Sequence, residues 1–328
     1  MKTVRAVRIR EPGDVDVLSL GEVGLRDPGP GEVRVAVAAA GLNRADLMQR
    51  AGVYPAPPGA PPDVPGLEYA GVVEALGPEV RGVAVGDRVM GLVGGGAMAE
   101  ALVTHHRELM AVPAGMSLTD AASIPEAFAT AWDALTQART GLGDVVLVHA
   151  AASGVGTAAT QLARAMGARV LGTGRSAAKL ARCAQWGLEE SVVATDGRFA
   201  DEVLARTGGA GVTVVLDLVG GDYLAESLRC AAPRARVMML ATMGGGHASL
   251  PLGLALSRRV TLTGTVLRSR PLEEKIALAR GFAAAALPGF ATGALRPVVD
   301  AVLPMTQVRE AHQRMARDET VGKIVLAW

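Results

Sequence analysis

Between Val145 and Gly156 the chain reads VVLVHAAASGVG, an aliphatic run that passes through small residues directly into a helical pattern. Val145, Val146, Leu147 and Val148 show no polar alternation, as a strand covered on both faces requires. From Gly156 the sequence GTAATQLARAMGARV puts Ala159, Leu162, Ala163 and Met166 on one helical face, with Gln161, Arg164 and Arg169 elsewhere. A helix that starts where a buried strand stops aims unpaired N–H groups and the positive end of its dipole at the junction. An anionic diphosphate can be held there without a side-chain cation. The fingerprint G-x-G-x-x-G uses its glycines for the turn, for approach to the pyrophosphate and for helix–strand packing. Here those places hold Ala151, Ser153 and Gly156, with Ala152, Gly154 and Val155 completing the loop. Such turns also occur as plain packing devices, so the next segment matters.

A fold that takes NAD carries Asp or Glu about 20 residues beyond the loop, on the ribose hydroxyls. This chain has none there: the strand Arg169–Thr173 runs into Gly174, Arg175 and Ser176, with Lys179 one turn on. A carboxylate repels a 2′-phosphate, whereas an Arg fork, a hydroxyl and an ammonium bind it. NADPH is therefore expected over NADH. At roughly 1.5–3 kcal/mol per charge-assisted bond, two bonds support a preference on the order of a hundredfold. A solvated helix start would carry the same cations.

A length of 328 residues fits two domains. Hydrophobic residues make up 50% but aromatics only 3%, so the cores must be built from Ala, Val, Leu and Met. Lys and Arg (33) balance Asp and Glu (32), and no basic block interleaves with aromatics, so neither nucleic acid nor a membrane surface is expected as a partner. The opening MKTVRAVRIREPG lacks a signal-peptide core, and no run reaches the roughly 18 apolar residues of a membrane span, which predicts a cytoplasmic protein. Cys183 and Cys230, the only cysteines, fall on different helices, so buried thiols are expected and a Cys-rich zinc cluster is excluded.

Residues 1–122 alternate short strands such as Glu32–Ala38 and Tyr69–Leu76 with the turns DPGPGE, YPAPPGAPPDVPG and LGPEV, a β-rich domain. Residues 123–265 change to strand, helix, strand, with strand cores at Val145–His149, Ala168–Thr173, Ser191–Ala194, Val212–Leu218, Arg236–Ala241 and Val260–Thr265. Six such strands predict a doubly wound parallel sheet, and the class is α/β. Residues 266–328 read as a helix Leu272–Ala286, a strand Val298–Leu303, a helix Val308–Met315 and a strand Lys323–Leu326, returning to the first domain. The Pro-rich stretch Tyr54–Pro65 is a stiff loop and a candidate rim of the site.

The segments AAAGLNRADLMQRAGVYP, VPGLEYAGVVEALGPEV, GDRVMGL, SIPEAFATAWDAL, HAAASGVGTAATQLARAMGA, LDLVGGDYL, ATMGGG, LRSR and GKIVL resemble, in order and over essentially the whole chain, the zinc-free quinone oxidoreductases of the medium-chain dehydrogenase/reductase superfamily. Within it the likeness is greatest to the branch of the tumour-suppressor-inducible NADPH quinone oxidoreductase, with zeta-crystallin more distant. The resemblance implies a GroES-like catalytic domain, an NADPH-binding Rossmann domain, nicotinamide in the cleft between them, and a homodimer through Rossmann edge strands. Val260–Thr265 suits such pairing. Where zinc-dependent relatives carry Cys and a His-Glu pair, this chain reads GLNRAD and GLEYAG. His105 and His106 are adjacent, so on a strand they face opposite ways and form no chelating pair. With no metal ligands to polarise it, the acceptor must take hydride readily, which a quinone or an α,β-unsaturated carbonyl does.

By the same resemblance Asn43, Arg44 and Asp46 lie by the nicotinamide, Tyr54 faces the cleft, and Thr130 places a hydroxyl near the cofactor. Asn43 is equally an N-cap of the helix ADLMQR, and Thr130 equally a helix-interior hydroxyl bonded back to a carbonyl. Asn43, Tyr54 and Thr130 are the catalytic candidates, acting by orientation rather than as strong acids. Leu240, Ala241, Thr242, Met243 and Gly244 are placed under the nicotinamide, and Leu267, Arg268, Ser269 and Lys323 approach from the returning segment, although Arg268 and Arg270 equally suit the surface. Ala194 stands where relatives often place a Tyr against the adenosine phosphate. The function implied is NADPH-dependent reduction of a quinone. The alternatives are reduction of an enone or alkenal, or non-catalytic binding of NADPH or RNA, the last opposed by the balanced charge.

Overall fold

The structure, a computed structural model, describes residues 2–328. It divides into a first unit, running up to Ala129 and resuming over Leu267–Gly293 and Pro297–Trp328, and a second unit of Thr130–Val266 with Ala294–Arg296. The division falls inside the helix Pro125–Gln137 rather than at residue 122. Ala294–Arg296 stay with the second unit because Gln161 holds Arg296 by both backbone groups, at 2.8 and 3.0 Å.

The first unit contains β1 (Lys2–Ile9), β2 (Leu18–Leu25), β3 (Glu32–Gly41), β4 (Glu68–Leu76), β5 (Arg88–Leu92), β6 (Ala101–His105) and β7 (Met110–Ala111). The second contains β8 (Val145–Val148), β9 (Arg169–Gly174), β10 (Glu190–Val193), β11 (Val212–Asp217), β12 (Ala231–Met239) and β13 (Thr261–Gly264). Strands β14 (Val299–Pro304) and β15 (Lys323–Ala327) return to the first unit, whose main sheet has the order β14-β15-β3-β4-β5-β7, with β6 also on β3. In β3 the alternating Val33, Val35 and Val37 are buried and the residues between them partly exposed, the period of a sheet with one covered face. Their core takes in Leu18, Tyr69, Met98 and Ile324.

In the second unit all six strands are parallel in the order β10-β9-β8-β11-β12-β13, the doubly wound arrangement expected. Leu147, Leu171, Val215 and Val237 are fully buried across its middle. The order reverses between β8 and β11, and ligands of such sheets sit beyond the carboxyl ends of the strands at that switch point. No helix among the described residues is long and apolar enough to cross a membrane.

Three local expectations are corrected. The helix expected to end at Ala286 runs over Leu272–Thr292 with Pro288 inside it, because Phe290 packs edge-on against Phe128 at 4.8 Å and that burial outweighs a lost backbone bond. Strand β12 starts at Ala231, five residues before the Arg236 expected, with a register shift between Val212 and Val214 of its partner. His105 ends its strand and His106 begins a 3-10 turn, so the two rings stack at 4.9 Å instead of facing opposite ways.

Candidate functional site

The loop after β8 is built as the sequence suggested. Ala150 takes a left-handed φ of 48°, a conformation L-residues seldom adopt, and its carbonyl accepts the Ser153 N–H at 2.8 Å. Ser153 caps the helix Gly154–Ala165, its Oγ accepting the Gly156 N–H at 3.0 Å. The amides of Gly154 and Val155 find no acceptor among the described residues, so the helix start presents donors. Gly156 is required by space: a Cβ there would lie 2.4 Å from the Ala150 carbonyl oxygen. Ala152, Ser153, Gly154 and Val155 remain partly exposed. Free amides, a helix start and room for close approach together fit a dinucleotide pyrophosphate.

Beneath this cradle lies a residue that sequence reasoning passed over. His149 is fully buried, with Nδ1 2.8 Å from Thr173 Oγ1 and Nε2 2.8 Å from Ser227 Oγ. The Ser227 hydroxyl donates to the Tyr223 carbonyl, so the network assigns the ring proton to Nε2, donating to Ser227, while Thr173 donates to Nδ1. Burial pushes its pKa down to about 4, with the nearby Asp217 charge acting the other way. Asp217 ends β11 and is itself buried; Oδ1 accepts the Val219 and Gly220 N–H groups, both at 2.8 Å, and Oδ2 has no partner among the described residues.

Gly174 ends β9, Arg175 is exposed, and Ser176 caps the next helix by accepting the Lys179 N–H at 3.4 Å. Arg175 reaches the Tyr223 phenol electrostatically, and that phenol donates to the Ala194 carbonyl at 3.3 Å. Tyr223 thus brings an aromatic ring to Ala194 from the start of a helix later in the chain. Leu240 and Gly244 tie their loop down by N–H bonds to the Asp217 and Val219 carbonyls, leaving Thr242, Met243 and Gly244 exposed. The Thr130 hydroxyl is buried and has no partner among the described residues, so the bond back to a carbonyl is not made.

In the first unit, Lys323 and Asn43 meet in a buried network. The Lys323 ammonium pairs with Glu68 at 2.5 Å and donates to Asn43 Oδ1 at 2.6 Å and the Leu42 carbonyl at 2.8 Å. Asn43 Nδ2 donates to Glu68 Oε1 at 2.9 Å. Asn43 stands at the N-cap position of the helix Arg44–Arg50, but its amide is turned into this network, while the Asp46 carboxylate accepts the Asn43 N–H at 2.8 Å. Asp46, placed by resemblance beside a cofactor, is completely buried; its other oxygen accepts the Gly66 N–H at 2.9 Å, and burial raises its pKa to about 6. Each of its oxygens thus accepts a backbone N–H of its own unit. Arg44 is likewise committed, to Asp318.

Arg268 is no surface cation: it is buried, donates to the carbonyls of Gly94 (2.8 Å) and Tyr54 (3.2 Å) and to Gln49 Oε1, and lies 5.0 Å over the Tyr54 ring. Leu267 is buried and Ser269 exposed beside it. Tyr54 is half-buried, which raises its phenol, an effect that Arg268 opposes. Glu126, unremarked in the sequence, donates its N–H to Glu68 Oε2 at 2.8 Å, and burial followed by repulsion from Glu68 pushes its carboxyl up to about 8. Lone carboxylates inside the apolar segments GLEYAG and SIPEAF were the available signals for Glu68 and Glu126.

Two family descriptions match the chain: an alcohol dehydrogenase GroES-like domain over residues 29–114 and a zinc-binding dehydrogenase over residues 154–282. Quinone oxidoreductase-like protein 2 of Mus musculus is 34% identical over 312 residues, covering 94% of this chain and 89% of that protein. A mycocerosic acid synthase-like polyketide synthase of Mycobacterium tuberculosis is 33% identical over 98% of this chain, which spans 15% of that protein. Among solved structures, a quinone oxidoreductase of Pseudomonas syringae superposes with a TM-score of 0.88 at 30% identity, covering 99% and 100% of the two chains. The CurK enoyl reductase superposes with a TM-score of 0.87 at 29% identity, covering 100% and 99%. With the doubly wound sheet, the GroES-like unit and these relatives together, the chain belongs to the zinc-free quinone oxidoreductase family of the medium-chain dehydrogenase/reductase superfamily, oxidoreductases whose fold implies a nicotinamide cofactor.

Proposed function

We propose that this protein oxidises NADPH and passes hydride to a quinone. The observation that carries the cofactor choice is the end of β9, where Gly174, Arg175, Ser176 and, one turn on, Lys179 stand with no carboxylate among them. The bound nicotinamide supplies the hydride. The Gly154 and Val155 amides receive the pyrophosphate, and Arg175 with Lys179 neutralises the 2′-phosphate. The Leu240–Gly244 loop offers backbone to the carboxamide, and the unpartnered Thr130 hydroxyl gives a further donor. In the first unit Tyr54, held under Arg268, is the aromatic face for a planar acceptor, and catalysis rests mainly on orientation.

A second reading, reduction of an enone or alkenal, is favoured by the likeness to the CurK enoyl reductase. The test is NADPH oxidation by the purified protein with quinones, enones, alkenals and no acceptor. Turnover with quinones alone supports the first reading, and preference for enones replaces it with the second. Tight NADPH binding without turnover of any acceptor refutes both. A cytoplasmic homodimer belongs to the same reading: Cys183 and Cys230 are buried free thiols, and among the described residues β13 pairs only with β12, leaving Thr261 and Leu262 exposed on an edge. Sedimentation as a monomer at micromolar concentration would refute the dimer.

A further inference from the structure

Three carboxylates and two cations share one region of the first unit: Asp46, Glu68 and Glu126 against Lys323 and Arg268. Four of the five are already committed. Asp46 accepts a backbone N–H on each oxygen. Glu68 is held by Lys323, by Asn43 Nδ2 and by the Glu126 N–H. The three protons of Lys323 go to Glu68, Asn43 and the Leu42 carbonyl. The Arg268 guanidinium is spent on Gly94, Tyr54 and Gln49.

The carboxyl of Glu126 is left over. Its own backbone bond fixes it beside Glu68, no hydrogen-bond partner for its side chain is found among the described residues, and it keeps some contact with solvent. Two neighbouring carboxylates with one shared ammonium cannot both ionise cheaply, so the uncommitted one keeps its proton. The Tyr54 phenol feels the same carboxyl, across from Arg268. An acid that is protonated at neutral pH, ringed by protein yet open at one edge, and electrostatically joined to an aromatic loop residue is the arrangement of a general acid.

We propose that Glu126 is the proton source of the reaction, giving its proton to the oxygen that turns anionic as hydride reaches the acceptor. This rests on the reading of the protein as an NADPH-dependent quinone reductase. Hydride brings two electrons and one proton, leaving a hydroquinone monoanion. The Glu126 O–H bond breaks as the second hydroquinone O–H forms, and the carboxylate is reprotonated by water. Asp46, Glu68, Lys323, Arg268 and Tyr54 are the titratable groups that face it.

The experiment compares the full-length protein with Glu126→Gln and Glu126→Asp, using NADPH and menadione. Glu126→Gln is expected to lower kcat by about 100-fold or more with the NADPH KM little changed. The wild-type rate should fall as pH rises through about 8, and that alkaline limb should vanish in Glu126→Gln and return, displaced, in Glu126→Asp. Infrared difference spectra of wild type against Glu126→Gln at neutral pH should show a protonated-carboxyl band. A Glu126→Gln rate within about twofold of wild type with the limb intact overturns the proposal. Turnover without the infrared band removes the donor role alone. The band without turnover of any acceptor removes the quinone-reductase reading, and the donor role with it.

Discussion

Gly156→Ala tests the nucleotide cradle directly. The added Cβ would stand 2.4 Å from the Ala150 carbonyl oxygen and 2.7 Å from the Cα and carbonyl carbon of Ala151, all backbone atoms that cannot rotate away. To bring the shortest of these to 3.0 Å, the limit real Cβ atoms respect, helix and strand end must separate by at least 0.6 Å. That displacement carries the Gly154 and Val155 amides and the Ser153 cap with it, since Ser153 Oγ is bonded to the Gly156 N–H. Donor–acceptor distances lengthened by this amount leave hydrogen-bonding range. Two charge-assisted bonds weakened by about 1–1.5 kcal/mol each amount to roughly a 30- to 150-fold loss of NADPH affinity, with about 1–3 kcal/mol of overpacking in the unit itself. The assay is titration calorimetry with NADPH beside thermal unfolding. Gly253→Ala is the control, because a Cβ there meets nothing within 4 Å. A Gly156→Ala protein that binds NADPH like wild type while Gly253→Ala is silent refutes the cradle argument.

Arg175→Ala should raise the NADPH KM about 10- to 100-fold while leaving that for NADH unchanged; an unaltered ratio removes Arg175 from the 2′-phosphate. Tyr54→Phe should keep most of kcat, because stacking and orientation survive loss of the hydroxyl; abolished turnover makes Tyr54 an obligate acid instead. For His149 the folded pKa lies near 4 against an ordinary 6.5. The unfolded chain therefore takes the proton first, and stability is whole above 6.5 and lost as pH falls toward 4. Going from about pH 7.5 to about pH 4.5 costs stability on the order of 2–3 kcal/mol through this group, and urea unfolding of His149→Gln should lack that part of the slope. Parallel loss of stability in both proteins would contradict the buried neutral ring.

The second unit was legible because its signals are local. Unbroken aliphatic strands and small residues at Ala151, Ser153 and Gly156 report a two-sided sheet and a tight turn within a dozen positions. The cationic run from Arg175 to Lys179 is equally contiguous. Where tertiary contact competes with local propensity, the sequence misleads. Pro288 reads as a stop, yet Phe128 holds Phe290 in the same helix; His105 and His106 read as opposed, yet the strand ends between them.

The site in the first unit belongs to that second kind. Asn43, Glu68, Glu126 and Lys323 are separated by up to 280 positions and are brought together by the pairing of β15 with β3 and β3 with β4 and, for Glu126, by its backbone bond to Glu68. Residue type alone could not say that Arg268 is buried in the Tyr54 loop, that Asp46 is buried on two backbone amides, or that Glu126 is the carboxyl left over beside Glu68. Patterning and turn chemistry, which act between near neighbours, decided the strands, the dinucleotide turn and the fold class. Charge state and partner choice depend on which groups are brought out of water together, and only the folded chain decides that.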